Sequence, residues 1–187
     1  MATRGREPIA IVAAVAVVAL AGWSDFGPGS QGPVVFREPP SVSSHAGVLG
    51  VTLVAQRATI DIGGQQAVTE VYDGRYAPPT LRVRPGDVIR LRLVNQLDQP
   101  TNLHTHGLHV SPSGNSDNVF LTVPPGQSED FEFRLPANHP SGLFWYHPHT
   151  HHFSNEQVRN GISGASSSRG CSTPFPLCAA SESGCCC

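Results

Sequence analysis

The sequence predicts an all-β fold, a sandwich or a barrel, and three observations carry this. Short apolar/polar alternations recur along the chain, Gly- and Pro-containing turns separate them, and no segment sustains a helical period. The 187 residues suffice for one domain with a real core and are too few for three.

Along the chain, Arg4 and Arg6 precede an apolar run over residues 9–21, and Ala19-Leu20-Ala21 offers a small-residue cleavage site before Gly22. Residues 1–21 therefore read as a secretory signal peptide. The run is short against the roughly 20 apolar residues of a membrane span, so an uncleaved anchor is only the alternative and no stable membrane partner is expected. The product is expected to be secreted or held in the periplasm or cell envelope. Residues 22–47 are rich in Pro, Gly and Ser and form a flexible lead-in.

Strand-like runs begin at Val48. Val51-Thr52-Leu53-Val54-Ala55 and Ala58-Thr59-Ile60-Asp61-Ile62 lead to Gly63-Gly64, and Val68-Thr69-Glu70-Val71-Tyr72 ends at Asp73-Gly74. Thr80-Leu81-Arg82-Val83-Arg84 stops at Pro85-Gly86, and residues 88–94 resume the alternation. Phe120-Leu121-Thr122-Val123, a Pro124-Pro125-Gly126 turn and Phe131-Glu132-Phe133-Arg134-Leu135 complete the scheme.

Charged residues make up 14% of the chain, and the near-balanced formal net charge of −2 gives no sign of a polyanion partner, so no nucleic acid is expected. All 12 basic residues are arginine, which suggests a GC-rich gene. The 5 cysteines all lie between Cys171 and Cys187, and the last three are consecutive. An odd, crowded set is not a disulfide framework, so thiol chemistry is not the expected function.

Two His-x-His units, His104-Thr105-His106 and His147-Pro148-His149, carry the chemistry. Residues i and i+2 of a strand share a face at about 6.6 Å, so each pair can turn both imidazoles towards one metal or neighbouring metals. Imidazole suits copper, zinc, nickel and iron, and the spacing alone does not choose among them. The run Leu108-His109-Val110-Ser111-Pro112 lacks the glutamate of a cupin iron site. Leu108 stands where a metallo-β-lactamase zinc site needs aspartate. Ordinary surface or core histidines are the bland alternative.

The segments LRVRPGDVIRLRLVNQL, TNLHTHGLHVSPSGNSDNVF, VPPGQSEDFEF and SGLFWYHPHTHHFSNEQVRNGISGA, within residues 81–165, resemble the amino-terminal cupredoxin domain of a bacterial multicopper oxidase of the laccase class. The resemblance implies a Greek-key β-sandwich over residues 48–165 and copper as cofactor. By position, His104 resembles a type-2 copper ligand, and His106, His147 and His149 resemble ligands of the paired type-3 coppers. Asp117 resembles the acidic residue that assists proton delivery. His151, His152 and His45 read as solvent-facing, His109 as packing or outer shell, His139 as a loop residue, and Trp145 and Tyr146 as core and cluster wall.

The resemblance also implies what must come from elsewhere. The family's type-1 copper needs a cysteine flanked by histidines, and these 187 residues contain no His-Cys-His. A partner cupredoxin domain would supply the facing ligands, and molecular oxygen is the substrate of the full-length enzyme. The chain alone is expected to be catalytically incompetent; a small exported copper-binding or copper-buffering protein is the alternative, and a zinc-binding structural sandwich a third.

Residues 166–187 are expected to be a disordered tail read out of frame. Dropping one C from GCG-CTC-ATC-GTC-GAG-GG, which encodes Ala-Leu-Ile-Val-Glu-Gly, yields Ala-Ser-Ser-Ser-Arg, the residues at 165–169. On that reading the sandwich lacks its closing strand and is marginal.

Overall fold

The computed structural model describes residues 38–169. The expected signal peptide, most of the lead-in and all the cysteines lie outside the described residues. In chain order the elements are β1 (Ser41–Ser43), β2 (Val48–Ile62), β3 (Gln65–Tyr72), β4 (Thr80–Val83), β5 (Val88–Asn95), β6 (His104–His106), β7 (Ser128–Arg134), β8 (Gly142–His147), the helix α1 (Ser154–Asn160) and β9 (Gly164–Ser168).

The alternation at residues 88–94 becomes a central strand. β5 turns Ile89, Leu91 and Leu93 inward and Arg90 and Arg92 outward. Its antiparallel neighbour β7 sets Glu132 opposite Arg90 and Asp130 opposite Arg92, giving exposed ion pairs at 3.2 and 3.1 Å. Such pairs contribute up to about 1 kcal/mol, so the stabilising row is the inward one, where Phe131 and Phe133 stack at 5.8 Å. β2 joins two runs that the sequence separates. Its first half pairs parallel with β5 and its second half antiparallel with β3, across the left-handed Gly63-Gly64 turn.

These strands form a four-stranded sheet in the order β3-β2-β5-β7. The second sheet has five strands in the order β1-β4-β9-β8-β6. One apolar cluster joins them, with Leu49, Leu53, Leu91 and Phe131 from one side and Leu81, Val83 and Tyr146 from the other. Tyr72 meets Tyr146 across the interior at 5.7 Å. The expected all-β sandwich is the observed architecture.

Three expectations are corrected. Residues 120–123 are not a strand; only Val123 bridges to Thr101. The Asn118 side chain takes the Phe120 N–H at 3.2 Å and its carbonyl takes the Leu121 N–H at 3.0 Å, which holds a turn instead. The second correction is α1, whose seven residues are too few to display a period. Tertiary contacts fix it: Gln157 is fully buried, accepts from Thr101 Oγ1 at 3.0 Å and donates to the Pro100 carbonyl at 2.9 Å.

The third correction concerns the closing strand. Pairing does not stop at Ala165, because Gly164–Ser168 runs as β9 between β4 and β8. A strand slot needs backbone donors and acceptors more than any particular side chain, and serine supplies them. Gly164 is required where it stands, since a Cβ there would lie 2.1 Å from the Tyr146 ring.

Candidate metal centre

The two histidine motifs meet because of strand register. β6 is the edge strand of the five-stranded sheet and pairs antiparallel with β8, with His104 opposite His147 and His106 opposite Trp145. Period-two geometry sends Thr105 and Tyr146 into the interior and leaves the histidines on the other face. Gly107 then turns the chain at φ 89°, where a Cβ would come 2.9 Å from the Phe144 ring.

Nitrogens of His104, His106 and His147 all lie within 4.8 Å of one another. The His104 ring is 5.5 Å from that of His106 and 5.1 Å from that of His147. His149 stands apart from this trio. It follows Pro148, beyond the end of β8, and its ring is 5.3 Å from His104 but 6.3 Å from His147. So the strand geometry expected of both pairs holds for the first pair and only for the first member of the second.

Two of the rings are pinned by the nitrogen that faces away. His104 Nδ1–H donates to Asp117 Oδ1 at 2.9 Å, and the same oxygen accepts the Thr105 N–H at 2.9 Å. His147 Nδ1–H donates to the Pro148 carbonyl at 2.8 Å. Each bond fixes the tautomer and leaves an Nε2 lone pair available. Sequence resemblance brought Asp117 forward as a proton-delivery residue; in the structure its carboxylate holds the His104 ring and the Thr105 N–H.

His147 Nε2 is buried and has no hydrogen-bond partner. Burial pushes the His147 pKa down to about 4, with the nearby His104, His106 and His149 adding to the effect and the Pro148 carbonyl opposing it. The ring is therefore neutral at neutral pH. A buried, unpaired imidazole lone pair beside two further imidazoles is costly by itself and is accounted for if a cation takes it. The donor set fits copper, an imidazole-binding metal.

Asn102 was not singled out from the sequence and proves central. It is fully buried, accepts the His149 backbone N–H on Oδ1 at 2.6 Å and donates from Nδ2 to the Val119 carbonyl at 3.0 Å. It thus ties the second motif to the loop that carries Asp117. Its position two residues before His104 was the only available signal. Trp145 stacks on His147 at 3.9 Å and forms a wall of the site, and Tyr146 is core, as expected of both.

The other histidines lie outside the trio. His45, His151 and His152 are exposed, and the His151 ring approaches Phe120 at 5.9 Å. His139 is a loop residue, as expected, but not an exposed one. It is buried, accepts the His109 N–H at 3.0 Å and donates to the Pro140 carbonyl at 2.8 Å.

A family model described as multicopper oxidase matches residues 52–167. The multicopper oxidase mco of Staphylococcus haemolyticus is 33% identical over 141 residues, which cover 72% of this chain and 30% of that protein. The solved multicopper oxidase from Campylobacter jejuni, described as a metallo-oxidase, superposes with a TM-score of 0.65 at 26% identity, over 73% of this chain and 30% of that one. A laccase structure from Pediococcus acidilactici gives 0.66 at 24% identity, over 76% and 31% of the two chains, and bears on the fold alone. The chain spans about 30% of the length of the first curated relatives it matches.

Proposed function

The chain belongs to the multicopper oxidase family, whose cofactor is copper, and its fold is cupredoxin-like; from that premise we propose that it is the copper-binding amino-terminal domain of an exported oxidase. In this reading His104, His106, His147 and His149 are its half of a trinuclear copper cluster. The observation that carries it is the buried, unpaired Nε2 of His147 between two further imidazoles.

Copper bound there supplies one-electron chemistry that couples oxidation of a donor to reduction of oxygen to water. The protein residues have distinct tasks. Asp117 and the Pro148 carbonyl hold the Nδ1 protons of His104 and His147, so that both rings present lone pairs. Asp117 is also the acidic group next to the site that can pass protons towards it. Trp145 covers one side of His147, and Asn102 fixes the start of the His149 segment.

With no His-Cys-His among the 187 residues, the electron-accepting type-1 copper and the facing cluster ligands would come from a partner cupredoxin domain. The chain alone would then bind copper without turnover. Export rests on the signal-peptide pattern of residues 1–21; among the described residues no helix is long and apolar enough to cross a membrane.

Copper titration of the thiol-blocked chain tests the proposal. Retention of copper through desalting, an ordinary non-blue copper(II) resonance with imidazole coupling, and quenching of Trp145 fluorescence are expected. Failure to retain copper on histidine would overturn it.

A further inference from the structure

The four motif histidines are not equivalent in this chain. Three gather their ligand-capable nitrogens within 4.8 Å, and the fourth is left outside. His104 and His147 are opposite one another in strand register, and each has its ring fixed through Nδ1. His106 is exposed, and among the described residues no hydrogen bond holds its ring. His149 is exposed beyond Pro148, and its backbone is anchored to Asn102 rather than to β6.

We propose that this chain by itself closes one mononuclear copper(II) site on His104, His106 and His147, with His149 outside the first coordination sphere and the remaining position open to water. This rests on the copper reading above and goes beyond it, because in the family pattern His104 serves the type-2 copper while His106 and His147 serve the type-3 pair.

The distances support a small closure. Metal–imidazole bonds of about 2.0–2.1 Å place ligand nitrogens roughly 3.3–3.4 Å apart at the tetrahedral angle, and roughly 2.8–3.0 Å (cis) or 4.0–4.2 Å (trans) in a square arrangement. A trio spanning up to 4.8 Å must therefore contract by up to about 1.5 Å to reach a tetrahedral arrangement. The pinned pair His104 and His147 supplies the rigid part, and the unbonded His106 ring can rotate to complete it. His149 sits farther from His147, at a 6.3 Å ring separation against 5.1–5.7 Å within the trio, and its backbone N–H is held by Asn102. His147 lies on the buried side of the site, while the exposed His106 at the sheet edge leaves the opposite side accessible to solvent.

The experiment uses the full chain with its cysteines blocked by N-ethylmaleimide, titrated with copper(II) sulfate. Metal analysis after desalting is expected to give one copper per chain, and pulsed electron paramagnetic resonance to count three imidazoles. His104→Ala, His106→Ala and His147→Ala should each weaken binding at least tenfold. Far-ultraviolet circular dichroism controls for folding, and His106, being exposed, is the variant least coupled to it. Two coppers per chain, a fourth imidazole, or a His149→Ala variant as damaged as His147→Ala would overturn the three-histidine site while leaving the copper-binding function intact. Absence of any histidine-bound copper would overturn both.

Discussion

Three consecutive serines lie in the interior with nothing to bond to. Ser166, Ser167 and Ser168 are 2%, 4% and 1% exposed, and none of their hydroxyls has a partner. Pairing of β9 to β4 and β8 satisfies the backbone only. Each buried, unpaired hydroxyl costs about 1–3 kcal/mol. Removing all three by Ser166→Ala/Ser167→Ala/Ser168→Ala leaves the ladder in place and creates only small voids. Taking the low end of that range for each, the triple variant should be more stable by about 3 kcal/mol. In urea this corresponds to a midpoint raised by about 1–2 M at an unchanged slope, and in a thermal scan to roughly 3–5 °C per kcal/mol. Tryptophan fluorescence follows the transition. An unchanged or lowered midpoint would refute the reasoning, for it would mean that the hydroxyls are bonded in the folded protein.

Further outcomes are expected from the site and its supports. Asp117→Ala should lower copper affinity about 10–100-fold by freeing the His104 ring, with Asp117→Asn intermediate because an amide oxygen can still accept; competition titration measures both. In the metal-free protein His147 binds its proton only near pH 4, against 6.5 when unfolded, so the unfolded chain takes up a proton that the folded site refuses. Stability should therefore decline as pH falls from 6.5 towards 4, by on the order of 1–3 kcal/mol, and His147→Gln should flatten that decline in urea titrations. Gly164→Ala should cost several kcal/mol, or prevent folding, because its Cβ would overlap the Tyr146 ring; a wild-type-like melting temperature would contradict the close approach. For the gene, reading one base out of frame past Ala165 should yield an apolar strand in place of the serines. Unrelated sequence in that frame would sink the out-of-frame account of the tail.

Much of the fold was legible because it is written in a period of two. Arg90, Arg92, Asp130 and Glu132 advertise the outer faces of β5 and β7, and Leu91, Leu93, Phe131 and Phe133 their inner faces. The histidine motifs were legible because residue type and spacing are themselves the chemistry. Elements held by side chains distant in sequence were not legible. Gln157 reaches Thr101 across 56 positions to seat α1, and Asn102 reaches His149 across 47. Closing strand β9 has no strand-like sequence at all; its conformation comes from the two neighbours it pairs with.

A strand-rich chain, two imidazole pairs and the lack of a His-Cys-His motif are readable from the residues alone. Which imidazoles meet depends on how the strands pair. Alternation specifies the face a side chain takes but not the strand it lies beside, and it is the β6–β8 register that sets His104 against His147. The break at Pro148 leaves His149 outside the trio, and Asp117 comes under His104 by a loop that no period encodes. Four like residues in the sequence thus become, in space, three neighbours and one outlier.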